Sequence, residues 1–380
     1  MGIILMFWDE HRIYPQKRYA LAVLIMIIAE YDTSKQRGLL SRIDENFPVF
    51  FQKPYWTSVR DRRLGRFIFL FSDCGSVCAP VLLFHTRLMR MAQFQYPPVC
   101  DGKRMAPSAE REFLTSCVEY LKRLLSRHRI IQSQTHCVFA AAPEGASACG
   151  FGTYVLDLKS KSEEELFAGL HTDIRRGIRQ ARERKITVEF GSKALDDCFC
   201  VISKTLERSN MHYLSRDALQ VIHDALAPAD QLLCAAAYHQ GKPMAAIVAP
   251  LTRTRAFYLD GGSSDDMAVP GANKLLHWET IRLLLHKGVE QYDFVGARLS
   301  DVRGTKLEHI QRFKSRFGGR LEQGYLWKMD LNKPVCRLCD MLRALRRRLT
   351  GEPTPRPDII EQELQKLADR IPGSGNGGGS

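Results

Sequence analysis

Three short stretches of the sequence hold residue types that could do chemistry. A strand-like run ends in Tyr258-Leu259-Asp260-Gly261-Gly262, and a helical pattern begins near Gly271. Amides left free at a helix start can hold a phosphate or a developing oxyanion, although such a turn also serves simply as a connection. Arg175 and Arg179 stand four apart in a basic helical pattern, so both can reach one phosphate or pyrophosphate; a solvated basic face has the same spacing. The run RFKSRFGG, residues 312–319, sets Lys314 between Phe313 and Phe317 and closes with Gly318 and Gly319. Spacing alone makes it the end of an amphipathic helix, with rings in the core and charges outside.

Motifs that are missing narrow the chemistry. There is no G-x-S-x-G elbow, no P-loop, no G-x-G-x-x-G after a strand and no H-E-x-x-H. The 11 cysteines keep no regular spacing. The pairs Cys74/Cys78 and Cys336/Cys339 lack partners at zinc-site spacing, so reduced core thiols are expected and a metal site is not. A surplus of 55 Lys and Arg over 42 Asp and Glu, net +13, suits an anionic partner such as nucleic acid, a nucleotide or a membrane surface. The apolar run YALAVLIMIIAEY, residues 19–31, falls short of the ~20 apolar residues of a membrane span. Asp9 and Glu10 before it and Glu30 within it make it a poor signal peptide. It is expected as an extra helix, or as sequence upstream of the true start. The protein is expected to be cytoplasmic, with at most peripheral contact with the inner membrane.

Apolar periodicity supplies the scaffold these residues need. RFIFLFS, VCAPVLLFH and RLMRMAQFQYP read as successive strands, a helix opens near Ser108, and THCVFAA reads as another strand. An extended entry and a short helix are expected over PVFFQKPYWTSVRDRRL. After residue 150 the grammar repeats. TYVLDL and ITVEFG are strands around one long basic helix, SEEELFAGLHTDIRRGIRQARERK, with acids at its start. Two helices, three strands, the helix GANKLLHWETIRLLLHKG and the strand VEQYDFVGA follow; RLEQGYLWKMDL reads as a strand returning to the first unit. The expected division is a 1–47 extension, a first unit 48–151 completed by 320–349, a second unit 152–319, and a 350–380 linker, short helix and tail.

Taken together, DIRRGIRQARERK, AFYLDGGSS, ANKLLHWETIRLLLHKGVEQYDFVGA and IQRFKSRFGG resemble the FemABX family and its relatives in the GNAT superfamily. The resemblance runs from about Pro48 to Trp327 and rests on R-x-x-I-R-x-A, the Trp278-Glu279 pair, Y-D-F-x-G and F-K-x-x-F-G-G. It implies an α/β fold of the α+β type: two tandem GNAT-like domains, each a mixed sheet flanked by helices, with a cleft between. It implies transfer of an aminoacyl or acyl group to an amine of a peptidoglycan-type precursor, with aminoacyl-tRNA or acyl-CoA as donor and no cofactor.

Under that resemblance Lys314 matches the F-K lysine, for a tetrahedral oxygen or a donor phosphate, and Phe313 would stack on a terminal base. Arg175 and Arg179 would bind a phosphate. Tyr258, Gly271 and Trp278 would line the substrate, and Asp260 and Asp293 would take the amine proton or pin loops. The long coiled-coil arm of some members is absent, and the GNAT pyrophosphate loop is degraded around MAVPGAN, which favours aminoacyl-tRNA. The alternatives are a GNAT-type N-acyltransferase with a thioester donor acting on a polysaccharide or lipid precursor, and a silent RNA- or membrane-binding module.

Overall fold

The computed structural model describes residues 25–30, 66–72, 76–85, 90–100, 103–124, 130–133, 136–209, 214–264, 270–350 and 357–369. The first half holds β1 (Ile25–Glu30), β2 (Arg66–Ser72), β3 (Val77–His85), β4 (Arg90–Phe94), β5 (Val99–Cys100), β6 (Lys103–Arg104), α1 (Pro107–Leu124) and β7 (Ile130–Ser133). The second opens with β8 (Ser147–Asp157), α2 (Glu163–Gly169), α3 (Thr172–Glu183), β9 (Thr187–Phe190), α4 (Leu195–Glu207) and α5 (Arg216–Leu226). It continues through β10 (Leu232–His239), β11 (Lys242–Pro250), β12 (Arg255–Phe257), β13 (Asp260–Ser263), α6 (Ala272–His286), β14 (Gln291–Asp293), β15 (Ala297–Arg298) and α7 (Lys306–Ser315). The chain closes with β16 (Arg320–Asp330), α8 (Lys333–Thr350) and α9 (Ile359–Ala368).

One mixed sheet passes through both halves in the order β1-β2-β3-β4-β7-β16-β8-β14-β12, and a second has the order β13-β11-β10-β9. The bridge is β16, whose Lys328 to Asp330 pair with β7 while its whole length to Lys328 pairs with β8. Side-chain alternation along a strand explains the layers. On β10, Leu233, Ala235 and Ala237 join a core with α2, α3 and α6, while Leu232, Cys234 and Ala236 join another with α4 and α5. The first half closes its own core between β2, β3, β4 and α1, with Trp327 of β16 inserted among them.

Several expectations are corrected. Residues 25–30 form a strand paired antiparallel with β2, where a helix was expected; Ile25 and Ile28, both within the ladder, are of the β-branched type that favours a strand. THCVFAA contributes one isolated bridge, Phe139 to Tyr325, and the strand lies earlier, at β7. The long basic helix is two helices. It breaks at Leu170, whose ψ of 142° is extended, and the His171 amide leaves the helix to donate to the Arg316 carbonyl at 2.9 Å. VEQYDFVGA divides into β14 and β15 around Phe294–Gly296, and the third strand of its group divides into β12 and β13. The helix expected within 48–64, the 265–269 part of the Gly271 loop and the tail after 369 lie outside the described residues.

Candidate active site

A fork in the chain defines the centre of the second half. β12 runs parallel to β14 as far as Phe257 opposite Asp293, and the Tyr258 amide still donates to the Asp293 carbonyl at 2.8 Å. From Asp260 the same chain pairs with β11 instead, so the two sheets diverge at Tyr258 and Leu259. Gly261 is required there. A Cβ on it would lie 2.1 Å from the Tyr258 hydroxyl, because the Tyr258 ring folds back over it.

Rings fill the fork. His277 of α6 has its ring centroid 4.6 Å from Tyr258, 5.2 Å from Phe313, 5.2 Å from Phe317 and 5.7 Å from Phe294. Its Nδ1 shares a 3.2 Å hydrogen bond with the Tyr292 hydroxyl, and its Nε2 has no partner among the described residues. Burial, then the charge of Lys314, drives its pKa down to about 3, so the imidazole is neutral. Burial, with Asp260 nearby, raises the Tyr258 phenol above its ordinary range. Trp278 is turned away from His277 and is a core residue: it is 1% exposed and packs edge-on against Phe167 at 5.0 Å.

Lys314 lies on the inner side of α7, only 8% exposed. Its Nζ donates to the Val295 carbonyl and, at 2.9 Å, to the Gly296 carbonyl, which leaves one of its three N–H groups. Burial lowers its pKa to about 8, against the opposing pull of Asp293, so it remains a cation near neutrality. The expectation of charges outside the helix fails at this residue. Phe313 is half-buried with its ring on His277 and Phe317, so its face is already covered on that side.

Asp293 is a loop pin. Its Oδ1 accepts from the Thr153 hydroxyl and from the Val295 amide at 2.8 Å, and its Oδ2 accepts from Arg255 Nη2 at 2.7 Å. Arg255 also approaches Glu322 at 3.6 Å, and Glu322 pairs with Arg104 of the first half at 3.2 Å. Burial alone would lower the Arg255 pKa; Asp293, Tyr96 and Glu322 more than offset it and raise it. This network, buried at Asp293 and open at Arg104, ties the two halves together beneath the fork, with a void of about 20 Å³ edged by Tyr96, His136 and Cys137. The void has room for one water.

The basic residues assemble on the outer side. His171, Thr172, Asp173, Arg175, Arg176, Arg179 and Arg316 line a groove of about 630 Å³ at the start of α3 and the end of α7. Asp173 draws in Arg316 at 2.8 Å, Arg176 at 3.3 Å and Lys274 at 3.4 Å. Its carboxyl, which burial pulls upward, is held below the usual range by Lys274, Arg316 and Arg176. Arg175 donates to the Ala168 carbonyl at 3.1 Å, whereas the Arg179 guanidinium is exposed and has no hydrogen bond or ion pair among the described residues. Between these two arginines, Gly177 meets Gly271 of the α6 cap. Gly271 has φ 96°, and a Cβ there would lie 2.3 Å from the Gly177 carbonyl oxygen, so only glycine fits. Gly271 gives α6 no capping side chain, so among the described residues no cap side chain bonds its first amides.

Arg175 and Arg179 therefore share the groove at α3, Gly271 packs on the Gly177 side of the same helix, and Tyr258, Phe313 and Lys314 meet around His277. Asp260 sits at the fork, next to Tyr258. His277, Arg255 and Arg316 were missed. A histidine within an apolar helical stripe was a visible signal, but its ring neighbours come from three separate segments.

Residues 169–314 match the family described as Acetyltransferase (GNAT) domain. The solved structure of FemX superposes with a TM-score of 0.61 over 82% of this chain and 99% of its own, at 12% identity. The fold is the one FemX has. A tandem GNAT protein from the clavulanic acid biosynthesis pathway covers 81% of this chain and 99% of its own, at 10% identity and TM-score 0.46. The C-terminal domain of a putative lysylphosphatidylglycerol synthetase from Agrobacterium fabrum covers 80% and 97%, at 16% identity and TM-score 0.48. No curated protein matches the sequence. The GNAT match takes in the fork, α3, α6 and Lys314, and among the described residues no helix is long and apolar enough to cross a membrane.

Proposed function

We propose that the protein transfers an aminoacyl group from a polyanionic donor, aminoacyl-tRNA, to an amine of a peptidoglycan-type envelope precursor. The acceptor nitrogen attacks the ester carbonyl, the carbon–oxygen bond to the ribose breaks, and the amine proton ends on the released hydroxyl. No enzyme nucleophile is needed, in keeping with a fork that offers a buried cation and neutral rings. The third N–H of Lys314 would face the developing oxyanion, and Asp260 would take the proton in passage. Asp293, fully hydrogen-bonded, would hold the turn that positions Lys314.

The observation that carries the donor class is the arginine groove: Arg175, Arg176, Arg179 and Arg316 around one opening of about 630 Å³. Several phosphates suit it better than one pyrophosphate. Titration with charged tRNA and with acetyl-CoA across a salt series tests this, because each phosphate neutralised releases counterions and steepens the salt dependence. Salt-steep tRNA binding without saturable acetyl-CoA binding is expected.

A second reading, an N-acyltransferase with an acyl-CoA or other thioester donor, is favoured by one feature. The α6 start at Gly271 has no side-chain cap, and its amides suit a pyrophosphate. Saturable acetyl-CoA binding, with tRNA no tighter than an unrelated RNA, would put this reading first.

A further inference from the structure

Helix α8 carries an apolar face that the fold leaves unused. The helix docks through Cys336 and Cys339, each 4% exposed, onto Ile130, with Val335 and Met91 alongside. At 100° per residue, Leu338, Met341, Leu342, Leu345 and Leu349 share one arc turned away from those cysteines. All five are exposed, at 53%, 68%, 44%, 54% and 80%. Single exposed leucines are ordinary on a protein surface, but five in one stripe are not.

The charge around the stripe says what covers it. The helix sequence, KPVCRLCDMLRALRRRLT, contains six basic residues and one acid, Asp340. Arg337 and Arg348, both exposed, fall along one margin of the apolar arc. A second copy of the same helix would bring arginines against arginines with almost no acid to offset them. An anionic bilayer supplies both things the helix lacks, an apolar boundary layer and a field of phosphates.

We propose that α8 is an in-plane anchor for an anionic lipid surface. Met341, Leu345 and Leu349, with Leu338 and Leu342, enter the boundary between headgroups and acyl chains, and Arg337 and Arg348 pair with lipid phosphates. The helix is about 27 Å long at 1.5 Å per residue and lies along the surface rather than across it. The anchor does not rest on the transferase proposal and is measured without any transfer reaction.

The experiment is co-sedimentation of the full chain with vesicles of phosphatidylcholine alone and of phosphatidylcholine with phosphatidylglycerol. Binding to the anionic vesicles, weakening with salt, and little binding to the neutral ones are expected. Met341→Glu with Leu345→Glu should lower the partition at least about tenfold at an unchanged melting temperature, since a carboxylate would have to enter the apolar layer. Arg337→Glu with Arg348→Glu should remove the preference for anionic vesicles. Leu349→Glu alone replaces the first pair if that variant loses its melting transition. Failure of the native chain to bind anionic vesicles, or binding indifferent to the glutamates, overturns the proposal. Self-association that the glutamates abolish, without vesicle binding, overturns it in favour of a second copy.

Discussion

Lys314 Nζ donates to the Gly296 carbonyl oxygen at 2.9 Å, and the same ammonium also holds the Val295 carbonyl. Val295 and Gly296 have φ of 39° and 61°, in the left-handed region. For a β-branched residue such a conformation costs on the order of 1–3 kcal/mol and persists only where neighbours enforce it. Here Asp293 Oδ1 takes the Val295 amide while Lys314 takes the carbonyls, so turn and cation hold each other in place.

Lys314→Met should lower transfer about 100-fold or more, roughly 3 kcal/mol of barrier, the usual loss when one oxyanion donor is removed. A cooperative melting transition should survive. Single-turnover rates within about twofold of the native protein (~0.4 kcal/mol) contradict the catalytic role. A lost transition would make Lys314 a structural clamp on the turn.

The pH dependence follows from the same group. Lys314 has its pKa lowered to about 8, so it is charged below that value and loses its proton above it. Transfer at saturating substrate should therefore fall as pH rises through about 8, and the fall should be absent from the residual activity of Lys314→Met. His277, with its pKa at about 3, stays neutral throughout and contributes no limb near neutrality. A rate still rising from pH 8 to 9 would remove the ammonium from the chemistry.

Arg179→Ala and Arg175→Ala should weaken donor binding with little effect on the rate at saturation, because a contact to a remote phosphate favours substrate and transition state alike. Each loss should be about tenfold, ~1.4 kcal/mol. Arg175→Ala should also loosen the end of α2, where its guanidinium holds the Ala168 carbonyl. Initial rates over a donor series decide it. A fall in saturating rate at constant apparent affinity would place these arginines at the reacting centre.

Glu110 gives a stability test away from the site. It is 0% exposed, its Oε1 accepts the Ala140 and Ala141 amides at 2.7 and 3.3 Å, and its Oε2 has no partner among the described residues. Burial raises its pKa to about 7, against the lowering effect of those amides and Arg104. The folded protein thus keeps a proton that the unfolded chain has lost between about 4.5 and 7, so stability falls as pH rises through that window. At most roughly 3 kcal/mol is involved. Glu110→Gln keeps the acceptor and removes the titration; in urea it should match the native protein near pH 4 and exceed it at pH 8. Equal stabilities at pH 8 would contradict this.

Local patterns carried much of the fold. β3 occupies the expected run from Val77 to His85, and α6 falls within the helix expected over GANKLLHWETIRLLLHKG. The site was legible as a set of stretches and obscure in its orientations. Phe313 and Phe317, four apart, turn inward as their spacing requires, but Lys314 turns inward too, because carbonyls on a distant turn receive it. The break before His171 depends on a carbonyl at Arg316, far along the chain, and no helical propensity shows it. The arginines of α3 and the cap at Gly271 are far apart in sequence. Only folding sets Gly177 against Gly271, on the side of α3 away from those arginines.

The central claim is that this chain transfers an acyl-type group to an amine, and mass spectrometry of the acceptor tests it most directly. The protein is incubated with a peptidoglycan-type precursor bearing a free amine and, separately, with charged tRNA or acetyl-CoA. The expected result is a mass gain of one aminoacyl residue on the acceptor amine with charged tRNA, absent when Lys314→Met replaces the native chain. An unchanged acceptor with both donors, from protein that binds them, would contradict the claim.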